Sequence, residues 1–254
     1  MNENSTLIIA HRGESFDAPE NTMAAINLAW DRGADAVEVD VHLSKDNEVV
    51  VIHDYNTKRL AGVNKKVKDQ TLNEIKKLDV GIWKDIQWKS EQIPTISEVL
   101  DSMREGKKLV IEIKSEADII PFLQKELARS ELESGQIEFI GFDLETISLT
   151  KKAFPDHNAL WLLDLDYVWI NRIFKPSIKS AILKVKKYNL DGLNVWAGSM
   201  LDQKMIQQVH NSDLLLYCWT VNDIQKAKNL INWGIDGITT DGAQWLTAHL
   251  MENH

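Results

Sequence analysis

Two neighbouring segments decide the fold of this chain: Ala36-Val37-Glu38-Val39-Asp40-Val41-His42 and Val49-Val50-Val51-Ile52-His53. Both are rich in β-branched residues and predict strands. Only the turn at 44–48 separates them, whereas a parallel crossover needs about a dozen residues or more. The second strand must therefore return antiparallel, as a hairpin. Folding back about the turn brings His53 alongside Asp40.

Apolar, β-branched segments recur along the whole chain and predict eight parallel strands, at residues 6–11, 36–42, 108–114, 137–142, 158–163, 191–196, 214–219 and 237–240. Helix-type patterns follow five of them, at 22–32, 117–130, 144–153, 200–211 and 224–233. Alternating strands and helices imply a parallel sheet, and eight such units imply a closed (β/α)₈ TIM barrel. The hairpin after the second strand distorts it.

The chain has 254 residues, of which 44% are hydrophobic, and one such barrel uses about this length as a single domain. We therefore expect one catalytic domain over 1–254. Residues 54–100 show weak periodicity and many polar side chains, which predicts an inserted subregion of short helices over the barrel mouth. Loops at the carboxyl ends of barrel strands build the active site, so we expect this polar insertion to recognise part of the substrate.

Charge and composition limit the classes of molecule that this chain is expected to bind. The formal net charge is −9 and no basic run is present, which argues against nucleic acid and against stable membrane association and favours a small soluble substrate. Cys218 is the single cysteine and can form no disulfide within the chain. No apolar leader follows the polar residues 1–5, so we expect a cytoplasmic protein. The composition leaves the oligomeric state open.

Three carboxylates stand on predicted strands. Glu38 and Asp40 are two residues apart and share one face, and Glu112 lies on the next barrel strand. Buried carboxylates repel one another unless a cation compensates them. Oxygen ligands suit Mg²⁺ or Ca²⁺, so we predict one divalent cation here. The alternative for Glu112 is an internal ion pair with Lys114.

Two histidines, His11 and His53, end strands near these carboxylates and suit an acid/base pair near neutral pH, although a lone histidine is more often only a satisfied polar group. Arg12 and Lys114 add positive charge beside the cluster. Cations near a metal make sense when an anion lies between them, and the arginine fork suits phosphate. The alternative for Arg12 is a salt bridge to Glu20 or Asp241.

Four further residues have two interpretations each. Asn21 is first interpreted as a helix N-cap, and second as an outer contact of the site. Glu20 either orients a neighbour in the site or is a first-turn acid. Trp219 and Phe142 end barrel strands and either line the pocket or belong to the core.

The ordered motifs of the chain look like those of the glycerophosphodiester phosphodiesterases. The resemblance spans nearly the whole chain and rests on His11-Arg12-Gly13, Pro19-Glu20-Asn21-Thr22, Glu38-Val39-Asp40-Val41, Val51-Ile52-His53-Asp54, Glu112-Ile113-Lys114, Trp219-Thr220-Val221-Asn222 and Thr240-Asp241. Gly141 stands where the family often has Ser, and the usual Pro after Asp241 is absent.

The resemblance implies a distorted (β/α)₈ barrel of the phospholipase-C-like phosphodiesterase group, hydrolysing a glycerophosphodiester to glycerol 3-phosphate and an alcohol. With such a substrate, we expect the polar insertion after Asp54 to recognise the glycerol end. It also implies roles for individual residues: Glu38, Asp40 and Glu112 as metal ligands, His11 and His53 as acid and base, and Arg12 and Lys114 on phosphate. The choice between Mg²⁺ and Ca²⁺, the assignment of acid and base, the preferred alcohol, and attack by water or through a cyclic phosphate stay open.

Two other functions compete with this one. The first is a lysophospholipase D-like or cyclising phosphodiesterase acting on lipid head groups, which would need an apolar or basic loop near the mouth. Residues 61–92 are polar and mixed in charge, which argues against it. The second is a barrel that binds a phosphate metabolite without turnover, which would be expected to lack one of the two histidines.

Overall fold

A computed structural model describes residues 6–130, 132–166 and 177–251. The strands are β1 (Leu7–His11), β2 (Ala36–Leu43), β3 (Val49–Val51), β4 (Lys108–Ile113), β5 (Ile137–Gly141), β6 (Asn158–Leu163), β7 (Gly192–Trp196), β8 (Leu215–Trp219) and β9 (Gly237–Thr240). Eight of them pair in parallel, and β1 pairs with both β2 and β9, so the barrel is closed. The predicted TIM barrel is confirmed, with each barrel strand within one residue of its predicted bounds.

The helices surround the barrel. They are α1 (Met23–Asp31), α2 (Lys58–Ala61), α3 (Leu72–Ile75), α4 (Ile96–Asp101), α5 (Ile120–Leu127), α6 (Leu144–Ala153), α7 (Ile178–Lys187), α8 (Gln203–His210), α9 (Ile224–Asn232) and α10 (Ala243–Met251). Single 3₁₀ turns lie at Val67–Asp69, Ile86–Trp88, Ala117–Ile119 and Ser134–Gln136. The sequence analysis predicted neither α7, although its apolar residues form a helical stripe, nor α10, whose apolar residues lack a clear stripe.

Residues alternate between the two faces of each barrel strand. In β2, Val37, Val39 and Val41 belong to the main apolar core, while Glu38 and Asp40 take the opposite face toward the barrel interior. All eight residues of β2 are buried. A strand that buries charge on its inner face thus places functional groups at a fixed position of the fold.

The hairpin after β2 is confirmed. Val51 pairs with Val41 in the antiparallel register, and the Ile52 amide donates to the Asp40 carbonyl at 2.9 Å. The residue directly opposite Asp40 is therefore Ile52 and not His53. His53 follows it and turns toward the barrel mouth.

The segment between β3 and α4 forms, together with Val50 of β3, a separate apolar core made of Val50, Ile52, Leu60, Val67, Ile75, Val80 and Ile93. Helix α4 instead buries Ile96, Val99 and Leu100 in the main core of the barrel. The part with its own core therefore ends before Ile96. This segment is less polar outside than expected, since Ile82, Trp83 and Ile86 are exposed.

The fold gives no sign of a transmembrane segment: across the ranges listed above, each helix is too short or too polar to cross a membrane.

Candidate active site

The three predicted metal-type ligands meet at the carboxyl end of the barrel. Strand pairing sets Asp40 beside Glu112 and His11 beside Glu38. One carboxylate oxygen from each of Glu38, Asp40 and Glu112 lies within 4.8 Å of the other two. All three side chains are buried. Adjacent strands with a shared register thus place three carboxylates at one point.

These carboxylates differ in their electrostatic surroundings. Burial and the negative charge of Asp40 raise the pKa of Glu38 well above its usual range, and the same two causes raise the pKa of Glu112 to about 7. Burial also opposes ionisation of Asp40, but attraction to Lys114 and Arg12 outweighs it and holds the pKa of Asp40 well below its usual range. The protein cations therefore favour the charged form of Asp40, whereas the charged forms of Glu38 and Glu112 stay disfavoured.

The donor set fits a divalent cation. Glu38 Oε2 accepts a hydrogen bond from the Arg12 amide at 3.0 Å, whereas the buried Glu38 Oε1 has no hydrogen-bond partner among the described residues. A buried carboxylate oxygen without a partner is costly unless a ligand contacts it. Carboxylate oxygens are the ligands that Mg²⁺ and Ca²⁺ prefer. The cluster is therefore compatible with a divalent metal ion.

Arg12 pairs with Glu20 and Lys114 pairs with Glu112, which are ion pairs that the sequence analysis gave as alternatives to a role in the site. Arg12 Nη1 lies 2.8 Å from Glu20 Oε1, and its Nε lies 3.2 Å from Asp40 Oδ2. Lys114 Nζ lies 2.6 Å from Glu112 Oε1 and 3.3 Å from Asp40 Oδ1. Both cations also line the central cavity, so the pairs position them without removing them from it.

Each of the two histidines has its own carboxylate. His11 Nδ1 lies 2.7 Å from Asp241 Oδ1, and His53 Nδ1 lies 2.8 Å from Asp54 Oδ1. Asn222 holds Asp241 from the other side through its Nδ2, at 2.6 Å from Oδ2. A carboxylate on Nδ1 fixes the ring orientation and favours the tautomer with a proton there.

Burial lowers the pKa of His53, and the positive charges of Arg12 and Lys114 act in the same direction, against the attraction of Asp40. A histidine that stays neutral near pH 7 can accept a proton.

Arg59 joins both histidine loops and was not predicted. It lies on α2, with Nη2 2.7 Å from Glu20 Oε1 and Nε 2.7 Å from Asp54 Oδ2. Glu20 therefore pairs with Arg12 and Arg59 together, and these contacts lower its pKa although burial opposes them. An arginine on a short exposed helix carries no sequence signal of such a role.

The interpretation of Asn21 as a helix cap is wrong. Thr22 is the N-cap of α1, and its Oγ1 accepts from the Ala25 amide at 3.3 Å. Asn21 has a φ of +56°, and its Nδ2 donates to Asp40 Oδ2 at 2.8 Å while its Oδ1 accepts from the Asp40 amide at 3.2 Å. Asn21 thus orients Asp40, as its second interpretation had it.

A cavity of about 220 Å³ lies over these groups. Its walls are His11, Arg12, Glu38, His53, Glu112, Lys114, Ile140, Phe142, Leu162, Asn194, Trp219 and Thr239. Phe142 and Trp219 pack edge to face with ring centroids 5.6 Å apart, and Lys114 Nζ lies 5.8 Å from the Phe142 centroid. Both aromatic residues therefore form an apolar wall beside the charged one. The insertion from Asp54 onward contributes nothing to this list.

Asn194 on β7 was missed by the sequence reasoning. Its side chain is 1% exposed and lines the cavity, and its Oδ1 has no hydrogen-bond partner within the described ranges. Buried amides are nearly always hydrogen-bonded, so such an exception inside a cavity indicates a ligand contact. An Asn within an apolar strand was the available signal.

Comparisons with known proteins agree with this geometry. A model of the "Glycerophosphoryl diester phosphodiesterase family" matches residues 11–244. A glycerophosphodiester phosphodiesterase of Caldanaerobacter subterraneus subsp. tengcongensis is 33% identical, over 95% of this chain and 96% of that protein. The human lysophospholipase D is 27% identical, over 92% of this chain and 82% of that protein. A solved structure of an Oleispira antarctica phosphodiesterase in complex with the product sn-glycerol-3-phosphate superposes with a TM-score of 0.88 at 26% identity, covering 97% of both chains.

Proposed function

Because this chain belongs to the glycerophosphoryl diester phosphodiesterase family and is an enzyme of that family, we propose that it hydrolyses small glycerophosphodiesters to glycerol 3-phosphate and an alcohol, using one divalent cation and two histidines. The observation that carries the proposal is the convergence of three carboxylates and two histidine–carboxylate pairs on one cavity. The complex of the Oleispira antarctica phosphodiesterase with sn-glycerol-3-phosphate supports the same product for this chain.

Glu38, Asp40 and Glu112 would hold the cation, which is Mg²⁺ or Ca²⁺ by the hardness of its ligands. When bound, it would polarise a phosphate oxygen and counter the charge that develops on the phosphoryl group. Arg12 and Lys114 orient the phosphate from the cavity wall. Asn21 keeps Asp40 in its rotamer while substrate binds.

The two histidines move the protons. One accepts a proton from the attacking hydroxyl group or water, and the other donates a proton to the departing alkoxide. Asp241 and Asp54 hold the Nδ1 atoms, so the Nε2 atoms are the nitrogens left for these transfers. The lowered pKa of His53 favours its neutral form and so favours His53 as the base.

The glycerol half is recognised by barrel residues. Asn194 and Thr239 offer polar groups to the glycerol hydroxyls, and Trp219 and Phe142 pack on its carbons. The expectation that the insertion after Asp54 recognises glycerol finds no support, because the cavity wall is built without it.

Product analysis over a panel of glycerophosphodiesters, with and without EDTA, tests the proposal. We expect glycerol 3-phosphate from each substrate, loss of turnover in EDTA and recovery on adding Mg²⁺ or Ca²⁺. Full turnover in EDTA at low free metal would refute the metal requirement. A product in which phosphate stays on the alcohol would refute the direction of cleavage.

One observation favours a second candidate, the cleavage of lysophospholipids. Phe16, Ile82, Trp83 and Ile86 are exposed, and Lys84 Nζ donates to the Ser15 carbonyl at 2.8 Å, which holds the apolar loop against the β1–α1 loop. The Phe16 amide donates to the Asp241 carbonyl at 2.9 Å, so Phe16 lies beside the carboxylate partner of His11. Exposed apolar residues beside an active site are typical of sites that meet an acyl chain. Comparing kcat/KM on lysophosphatidylcholine micelles and on glycerophosphocholine decides between the two. We expect the soluble diester to be preferred.

A further inference from the structure

A second cavity of about 520 Å³ adjoins the active site, and Lys114 lines both. The walls of this groove are His42, Leu43, Ser44, Lys45, Asn47, Tyr55, Lys66, Val67, Lys68, Lys114, Ser115, Glu116 and Asp118. Tyr55, Lys66, Val67 and Lys68 belong to the insertion after Asp54. The insertion therefore faces the groove and not the cavity that holds the reacting groups.

The groove is positively charged overall. Lys45, Lys66 and Lys68 form no salt bridge with any residue in the described ranges, whereas Lys114 is paired with Glu112 and Asp40. The opposing acids are Glu116 and Asp118. A local excess of lysine on a chain of net charge −9 needs a reason, because free cations along a cleft attract anionic ligands.

The backbone that carries these lysines is fixed. The Val67 amide donates to the Tyr55 carbonyl at 2.9 Å, and the Lys45 amide donates to the Gln70 carbonyl at 2.8 Å. The buried Gln70 amide group donates in turn to the Lys66 carbonyl at 3.2 Å and to Thr57 Oγ1 at 3.2 Å. The groove is thus a formed part of the fold, with only the ends of its lysine side chains free in solvent.

The position of the groove identifies which part of a substrate it meets. On the function proposed above, the smaller cavity would accommodate the glycerol half and Lys114, which lines both cavities, would meet the phosphate at their boundary. The other ester oxygen of the phosphate leads to the alcohol, which extends past Lys114 into the groove. Resting on the function proposed above, we propose that Lys45, Lys66 and Lys68 form a subsite that selects glycerophosphodiesters whose alcohol carries an anionic group, a carboxylate or a second phosphate.

Two matched substrate pairs test the subsite. Glycerophosphoserine and glycerophosphoethanolamine differ by one carboxylate, and phosphorylated glycerophosphoglycerol differs from glycerophosphoglycerol by one phosphate. We expect the native enzyme to have a higher kcat/KM for the anionic member of each pair. An exposed ion pair changes affinity by a factor of up to about five, so the preference should reach about tenfold with several lysines.

The triple substitution Lys45→Gln, Lys66→Gln, Lys68→Gln should lower the preference for the anionic member by at least about fivefold. Lys77→Gln is the matched control, since Lys77 is an exposed lysine of the same insertion that does not line the groove. It should leave the preference unchanged. Raising the ionic strength should weaken the native preference, because the lysine ends are solvated and salt screens them.

An unchanged preference in the triple variant would overturn the subsite. A native preference for glycerophosphoethanolamine that Glu116→Gln removes would overturn it in favour of a cation site. If the native enzyme turned over none of these substrates, the function proposed above would fail instead. Calorimetric binding of the intact diesters to native enzyme and triple variant would then decide the subsite by itself, with equal affinities counting against it.

Discussion

His11 Nδ1 lies 2.7 Å from Asp241 Oδ1, although 230 positions separate the two residues in the chain. The contact joins the ends of the first and last barrel strands and gives His11 the carboxylate partner that His53 finds in its immediate neighbour. Each histidine thus has a carboxylate on its Nδ1. The carboxylate of His11 comes from the other end of the sequence, and that of His53 comes from the next residue.

Asp241→Asn should lower kcat by about 10²–10⁴-fold with little loss of fold, because the amide no longer favours the His11 tautomer that carries its proton on Nδ1. Asp236→Asn is the matched control: Asp236 Oδ2 lies 2.8 Å from His210 Nε2, outside the active-site cavity. Steady-state kinetics on a glycerophosphodiester measures both. Equal losses in the two variants would show that the effect is structural.

His11→Ala and His53→Ala should each lose about 10²–10⁴-fold in turnover. The two should differ with the leaving group, because an activated aryl ester needs little protonation. With His53 as the base, His11→Ala lacks the general acid and should regain activity on the aryl ester. His53→Ala lacks the base and should not regain it. Equal losses on alkyl and aryl esters would contradict the division of roles, and His210→Ala controls for the loss of a histidine outside the site.

Glu112→Gln should abolish the stabilisation of the protein by Mg²⁺ or Ca²⁺. A ligand that binds only the native state raises the melting temperature in proportion to the logarithm of its concentration, so thermal unfolding with and without metal reads binding directly. Removing one charge from three crowded carboxylates should also raise the stability of the metal-free protein. Glu105→Gln, at an exposed position, should change neither quantity. A metal-induced shift of normal size in Glu112→Gln would argue against the site.

Asn194→Leu should raise KM by at least about tenfold and yet raise the free energy of unfolding by about 1 kcal/mol, because it removes a buried amide oxygen, Oδ1, that has no partner in the described structure. Asn158→Leu should have the opposite effect on stability, since Asn158 Nδ2 donates to Glu138 Oε1 at 3.2 Å. Urea unfolding and substrate titration measure the two effects separately. Loss of stability in Asn194→Leu would indicate a structural role.

Asp54 should stabilise the protein in a pH-dependent way. Burial opposes its ionisation, but Arg59 and His53 lower the pKa of Asp54 to about 2 in the folded protein, below its ordinary value near 3.8. A carboxylate with a lowered pKa contributes its stability above the ordinary value and loses it as the pH falls from about 4 toward 2. Because 24% of the side chain is exposed and solvent screens its charge, we expect Asp54 to contribute about 1–2 kcal/mol to the free energy of unfolding.

Urea unfolding of native protein and Asp54→Asn at several pH values checks this expectation. The difference in the free energy of unfolding between native protein and Asp54→Asn should be largest at pH 5 to 7 and should shrink below pH 4. Asp69→Asn, an exposed acid of the same insertion, should show no such difference. A difference that stays constant down to pH 3 would contradict the lowered pKa.

Much of the barrel could be predicted from local pattern, because a buried strand must alternate and must end where charge begins. Glu38 and Asp40 were found in this way, and so was the hairpin that follows them. The register of that hairpin could not be predicted, because the length of the turn allows two registers that differ by one residue. In the structure Ile52, and not His53, lies opposite Asp40.

What could not be predicted depends on side chains from distant segments meeting in space. Asn21 is an acceptable helix cap by its chemistry. Its left-handed backbone in the structure is not that of an N-cap, and its side chain contacts Asp40 instead. Arg59 and Asn194 are ordinary residues in their local surroundings. Their roles arise from the ion pairs and the cavity that the closed barrel creates.

Closure of the barrel by β9 against β1 has a consequence for synthesis. The ribosome makes β1 before its partner strand β9 and before Asp241, which lies 230 positions after His11. Until then His11 has no carboxylate and β1 has an unpaired edge, which can pair with another nascent chain. We therefore expect the phosphodiesterase site to be complete only after β9 has been made, and a chain cut short before β9 to be prone to aggregation and to lack the carboxylate partner of His11.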